Sequence, residues 1–292
     1  MRKNWSLCLE AIAIAGLLLG ACSVAAAQGG QSSQSGQGGQ SQPPADKSKA
    51  PDVTPLTLDA PPPVNSDEDA AFKEFQALLT TDPKKIETGE AFLQKYPESR
   101  YRSPVYGALV YAYVQAGQVQ KMQEYGEKEI ALVPNDVTTL ALMAQTLPRS
   151  IRSGTTPAEA AQLLAKAEQY SKQAIEITPT IPKPPTMTDD QFTSAKNQNL
   201  AMAHSGLGLV YYRRGKTAEA ITEFDEAVKI DPNPDQVNYY LLGMANKGAS
   251  HFDDAIAAFN KCSAMTGQMQ AVCKAQVEDT KKKSATELSA PK

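Results

Sequence analysis

Histidine, cysteine and tryptophan are scarce in this chain, which leaves few residues suited to catalysis or metal binding. The 292 residues include two histidines, four cysteines and one tryptophan. The sequence also lacks H-E-x-x-H and G-x-S-x-G motifs, and it has no glycine loop that could cradle a phosphate. The Asp and Glu residues are spread beside Lys, as on solvated helix surfaces. We therefore predict that the protein is not an enzyme and holds neither metal nor cofactor.

An excess of positive charge is also missing. The net charge is -3 and the isoelectric point is near 5.6, without a stripe of Lys and Arg interleaved with aromatic residues. This composition argues against nucleic acid as a partner. Hydrophobic residues make up 41% of the chain and the mean hydropathy is -0.38, which suits a soluble body of one large or two small helical domains.

The N-terminus has the pattern of a bacterial export signal. Arg2 and Lys3 precede nine apolar residues at 11 to 19, too few to span a bilayer, which needs about 20. Two cleavage sites remain open. Residues 19 to 22 resemble a lipobox, which would end the signal at residue 21 and lipidate Cys22, whereas residues 25 to 27 form an A-x-A site that would end it at residue 27. We expect a periplasmic protein, membrane-anchored if Cys22 is lipidated.

Residues 28 to 65 are rich in Gln, Gly, Ser and Pro and have no apolar periodicity. Such a segment buries too little apolar surface to offset the entropy lost on ordering. We predict a disordered tether between the signal and the body of the protein.

The stretch 201 to 232 has the most regular pattern in the chain. Its small and large apolar residues are spaced as two short antiparallel helices would require. The positions in register are Leu207, Gly208, Tyr211, Gly215, Ala220, Phe224, Ala227 and Pro232, with His204 in an aromatic place. This pattern resembles the tetratricopeptide repeat, a unit of about 34 residues.

The resemblance implies an all-α, right-handed superhelix of antiparallel helical hairpins, with about ten or eleven helices. Residues 66–177 would hold the N-terminal repeats and 178–188 a proline-rich loop. Residues 189–283 would hold the C-terminal repeats with a capping helix, and 284–292 a disordered tail. In the repeat at 103 to 134, Met122, Gly126 and Glu129 replace the expected small, aromatic and small residues, so we expect looser packing there.

Two cysteines, Cys262 and Cys273, remain after export, because Cys8 leaves with the signal and Cys22 is lipidated or removed. They form no C-x-x-C motif and have no histidine partner. Their separation suits a disulfide between the last repeat and its cap, and two buried thiols are the alternative.

The resemblance also implies a concave groove lined by the first helix of each repeat. Carried over by register, its candidate partner-binding residues are Tyr111, Leu209, Tyr212, Arg213, Tyr240, Met244 and Lys247. The family positions that grip a C-terminal carboxylate hold Met202, Ser205 and Leu209, so that mode is not expected. We expect a protein or peptide partner with large side chains. Alternatively, the loop 178–188 or the long helix after it fills the groove from within.

The predicted function is therefore a non-enzymatic interaction scaffold in the bacterial cell envelope. Residues 92 to 101 are similar to junctions in the BamD family of envelope lipoproteins. The alternative is thus a BamD-like component of outer-membrane protein assembly.

Export can be tested by fluorescence, because Trp5 is the one tryptophan and lies in the predicted signal. The exported, purified protein should show no tryptophan emission, and emission would refute cleavage. Cys22→Ala then separates the two sites. Loss of membrane association would indicate the lipoprotein, and an unchanged soluble fraction would indicate cleavage after residue 27.

Overall fold

A computed structural model describes residues 65–231 and 233–289, and within these ranges the chain is entirely helical. The helices are α1 (Ser66–Ala77), α2 (Lys84–Lys95), α3 (Arg102–Gln115), α4 (Val119–Leu132), α5 (Val137–Arg149), α6 (Pro157–Ile177), α7 (Asp189–Arg213), α8 (Thr217–Ile230), α9 (Gln236–Gly248), α10 (Phe252–Ala264) and α11 (Gln270–Ser289). A 3-10 turn, Thr178–Thr180, follows α6. The predicted all-α fold and its helix number are confirmed. The predicted signal, Cys22, nearly all of the predicted tether, and Pro232 lie outside the described residues.

Successive helices fold back as hairpins through a recurrent tight turn. After α3, α7 and α9 the chain adopts positive φ at Gly117, Gly215 and Ser250. The next residue then donates its backbone N–H to a carbonyl five residues back, at 2.9 Å in all three turns: Gln118 to Tyr113, Lys216 to Tyr211 and His251 to Asn246. This arrangement is a Schellman C-cap, which ends a helix and reverses the chain within a few residues. It brings each helix against the next.

Within each C-terminal hairpin, a glycine on the first helix packs against a phenylalanine ring on the second. A Cβ added at Gly208 of α7 would lie 2.7 Å from the ring of Phe224 on α8, and one added at Gly243 of α9 would lie 2.6 Å from Phe259 on α10. Both rings are fully buried. The glycines therefore set the distance between the paired helices, and the spacing that the repeat pattern requires is present twice.

Helix α7 belongs to two apolar cores. Met202, Ala203 and Val210 join the first core, which extends through α1 to α6, while Leu209 joins the second core of α8 to α11. The long N-terminal part of α7 also packs against α5 and α6. The hairpins thus form a continuous stack across the 178–188 segment.

The expectation of loose packing in the α3–α4 hairpin is wrong. Met122 is fully buried, and a Cβ at Gly126 would lie 2.5 Å from the sulfur of Met143 on α5. Glu129 is 2% exposed, and its carboxylate accepts a 2.6 Å hydrogen bond from Ser103. Burial raises the pKa of Glu129 although that hydrogen bond opposes the change. The substituted residues fill the interface because larger and smaller side chains compensate for one another.

Helix α11 covers the C-terminal end of the stack. A disulfide joins Cys262 of α10 to Cys273 of α11, with a Cα–Cα distance of 5.9 Å. Lys247 of α9 donates to Gln276 at 2.8 Å and pairs with Asp279 of α11. The helix extends to Ser289, so the prediction that it ends at residue 283 and gives way to a tail is wrong. None of the helices in the described ranges has the length and apolar character to cross a membrane.

Phe224→Ala tests the hairpin register. The ring is fully buried against Gly208, so its removal costs both transfer free energy and a cavity, about 3 to 5 kcal/mol of unfolding free energy in urea titrations. Leu79→Ala is the control, because Leu79 is 63% exposed and should change stability by less than about 0.5 kcal/mol. A loss below about 1 kcal/mol for Phe224→Ala would contradict the register.

Candidate partner-binding surface

Two of the seven predicted groove residues are buried in the structure. Leu209 is 2% exposed and Tyr240 is 3% exposed. Both belong to the second core, where the Tyr240 ring lies 6.0 Å from that of Phe259. Their prediction as exposed contact residues is wrong, because both side chains pack into the core that α8 to α11 form.

The other five predicted residues are partly exposed: Tyr111, Tyr212, Arg213, Met244 and Lys247. Burial raises the pKa of Tyr111 to about 12, with Asp136 adding to the effect, and burial also raises the pKa of Tyr212. Each ring is therefore largely desolvated while keeping an accessible portion. Lys247 contacts Gln276 and Asp279 of α11, so α11 covers part of the surface at its C-terminal end.

A polar network crosses the first helices of three successive hairpins. Arg149, in the last turn of α5, donates to the hydroxyl of Ser205 on α7 at 3.3 Å. Ser205 donates in turn to the side-chain oxygen of Asn238 on α9 at 2.7 Å. Eight residues after Ser205, at the end of α7, Arg213 donates to the carbonyl of Ile151, just past α5, at 3.3 Å.

Close helix contact makes this network possible. A Cβ at Gly206 would lie 2.5 Å from the carbonyl oxygen of Ala144, so α7 can approach α5 at this distance only with glycine there. That approach puts Ser205 within reach of Arg149. Ser205 and Asn238 are 1% and 3% exposed, so the chain of hydrogen bonds lies at the buried floor of the surface.

Burial dominates the electrostatics of this network. It lowers the pKa of Arg149 despite the opposing charge of Asp235, and it raises the pKa of Asp235 despite the charge of Arg149. A close ion pair would shift both pKa values in the opposite directions. The Asp235 carboxylate instead caps α9 by accepting from the backbone N–H of Val237 at 3.1 Å. Burial likewise lowers the pKa of Arg213.

Sequence reasoning found Arg213 but missed Arg149 and Asn238. The hairpin of α5 and α6 carries no clear repeat pattern, so the register that gave the other groove residues could not be carried to Arg149. Asn238 lies two residues before Tyr240, the first of the predicted positions in α9. The available signal was the position of each arginine in the last turn of its helix.

A second groove lies between α8 and α10, with α9 as its floor. Its volume is about 370 Å³, and it is lined by Ile221, Asp225, Val228, Tyr239, Leu242, Asn246, Asp254, Ala257, Ala258 and Lys261. Asn246 stands where the repeat pattern has tyrosine, and its amide donates to the carbonyl of Leu242 at 3.0 Å. The shorter side chain contributes to the open volume.

Side chains suited to chemistry are engaged in structural contacts. His204 and Glu223 link α7 to α8, with 2.7 Å between Nδ1 and the carboxylate oxygen. Cys262 and Cys273 are joined by the disulfide, and no group of three metal-ligating side chains occurs in the described parts of the chain.

These features define a helical-repeat protein whose first helices present a partly exposed aromatic and basic surface. Residues 201–234 match the family model of the tetratricopeptide repeat, so the stretch predicted from the sequence to be such a repeat is confirmed. The crystal structure of a thermophilic tetratricopeptide repeat protein from Thermus thermophilus is similar to this chain, with 15% identity and a TM-score of 0.48. The similarity covers 73% of this chain and 94% of that one. No curated protein sequence matches this chain.

Tyr240→Ala tests which of the predicted residues are structural. Because Tyr240 is 3% exposed and packs near Phe259, its truncation should lower the unfolding free energy by about 3 to 5 kcal/mol. Met244→Ala, in the same helix at a partly exposed position, should cost clearly less. An unchanged melting temperature for Tyr240→Ala would mean that Tyr240 faces solvent and is available to a partner after all.

Proposed function

We propose that this protein is an interaction scaffold of the bacterial cell envelope, and that it binds a segment of a partner protein along the first helices of its hairpins. The observation that carries this proposal is the surface of α7 and α9, where Tyr212, Arg213 and Met244 remain partly exposed above a buried floor. Large aromatic and basic side chains of this kind commonly dominate the energetics of protein interfaces. Tetratricopeptide repeats generally serve in protein binding, which agrees with this use of the surface.

The envelope location is supported by two independent features. The N-terminal sequence has the charged, apolar and small-residue regions of an export signal. The Cys262–Cys273 disulfide suits an oxidising compartment such as the periplasm. The lipid anchor at Cys22 and the BamD-like role stay predictions from the sequence, and co-purification with an outer-membrane β-barrel protein would test the latter.

The partner is to be identified by crosslinking in intact cells with a tagged full-length chain, followed by mass spectrometry and rebinding of the purified partner. The double change Tyr212→Ser and Met244→Ser should weaken rebinding by about thirtyfold or more, since aromatic anchors often contribute 2 kcal/mol or more. Circular dichroism should show unchanged helix content.

Tyr239→Ser is the matched control. Tyr239 lies one position before Tyr240 on α9 but lines the groove between α8 and α10. It should leave rebinding unchanged. If Tyr239→Ser weakens rebinding and the double change does not, the partner occupies that second groove and the proposed surface is not the site.

A further inference from the structure

Arg149 and Arg213, here called the arginine pair, lie on the proposed surface with few partners. A guanidinium has five N–H donors and remains charged in proteins. Among the described residues, Arg149 makes one side-chain hydrogen bond, to Ser205, and Arg213 makes one, to Ile151. The Nε atom of each is buried and has no acceptor in the part of the chain that the structure describes.

The charge of the arginine pair is also poorly compensated. Neither guanidinium has a carboxylate oxygen of the described residues within 4.0 Å. Their neighbours Arg214 and Lys247 differ in this respect, since Arg214 pairs with Glu168 and Lys247 with Asp279. The C-terminal ends of α5 and α7 supply partial negative charge, but a helix end is equivalent to only about half a unit charge.

Buried guanidinium groups are ordinarily satisfied by planar oxyanions. The two N–H edges of arginine match the two oxygens of a carboxylate, and such charge-assisted hydrogen bonds are stronger than neutral ones. Arg149 donates to Ser205, which itself is held by Asn238, and Arg213 donates to the Ile151 carbonyl, so both groups are fixed before any partner binds. Fixed donors lose little entropy on binding.

We propose that Arg149 and Arg213 form a docking site for the side-chain carboxylates of an acidic segment in the partner protein. This inference rests on the proposed function and specifies the chemistry of its partner. Tyr212, next to Arg213, supplies an adjoining aromatic surface for the apolar part of the same segment. Asp235, whose charge acts on Arg149, caps α9 and forms no ion pair with Arg149 among the described residues.

The test uses the full-length exported protein and two fluorescein-labelled peptides, hexaglutamate and hexaglutamine, both with amidated C-termini. Fluorescence anisotropy at low ionic strength should show saturable binding of hexaglutamate and none of hexaglutamine. Arg149→Gln combined with Arg213→Gln should weaken hexaglutamate binding by about tenfold or more, because both charge-assisted contacts are lost.

Arg152→Gln is the control for diffuse charge attraction. Arg152 follows Arg149 by three residues, is exposed, and carries the same charge. It should leave the affinity within about twofold of the wild type, since an exposed charge contributes little. Equal loss in this variant and in the double variant would overturn the proposal, as would absence of hexaglutamate binding to the wild type.

Arg213→Lys is a second variant, for the case that the double variant fails to fold. It keeps the positive charge and has N–H donors on a single nitrogen but lacks the planar fork, so hexaglutamate affinity should fall by several-fold while the melting temperature stays near that of the wild type. Unchanged affinity would overturn the proposal.

If the cellular partner binds through Tyr212 and Met244 but is insensitive to the arginine variants, the scaffold function stands and the docking of an acidic segment is wrong.

Discussion

Close contact between a glycine and a phenylalanine ring is the constraint on which this fold depends. Gly208 with Phe224, and Gly243 with Phe259, allow the two helices of a hairpin to approach until the ring lies on the backbone of its partner. A methyl group at either glycine would overlap the ring. Since helices in contact must fill the space between them, the position of each ring also fixes which face of the hairpin is left for the next one.

A third glycine extends this close packing from within a hairpin to the contact between hairpins. Gly206 brings α7 against the backbone of Ala144 in α5, and so links the first core to the second through a single shared helix. The same contact brings Arg149 within hydrogen-bonding distance of Ser205, which in turn donates to Asn238. The arrangement of the proposed binding surface is therefore a consequence of how tightly the stack is packed.

Burial on this surface has opposite effects on apolar and charged side chains. Enclosing Leu209 and Tyr240 stabilises the stack, because apolar surface leaves water. Enclosing the guanidinium groups of Arg149 and Arg213 is unfavourable unless each finds an anion or enough acceptors. A surface that keeps such groups half-buried can gain more from binding an acidic partner than exposed arginines would, since the cost of desolvation has already been met on folding.

The sequence by itself determined the helical class and the hairpin at 201 to 232. Both depend on local spacing along the chain: apolar periodicity, glycine opposite phenylalanine, and turn residues at helix ends. The tertiary structure alone decided which groove positions are accessible, because Leu209 and Tyr240 are buried by neighbouring helices that no local pattern places. It also decided the partners of Arg149, whose hairpin lacks the repeat spacing, and the dense packing around Glu129, where Ser103 and Met143 compensate for substitutions in the pattern. Local spacing specifies a hairpin, whereas the burial of a side chain depends on the distance between hairpins, and that distance is set by contacts between residues far apart in the chain.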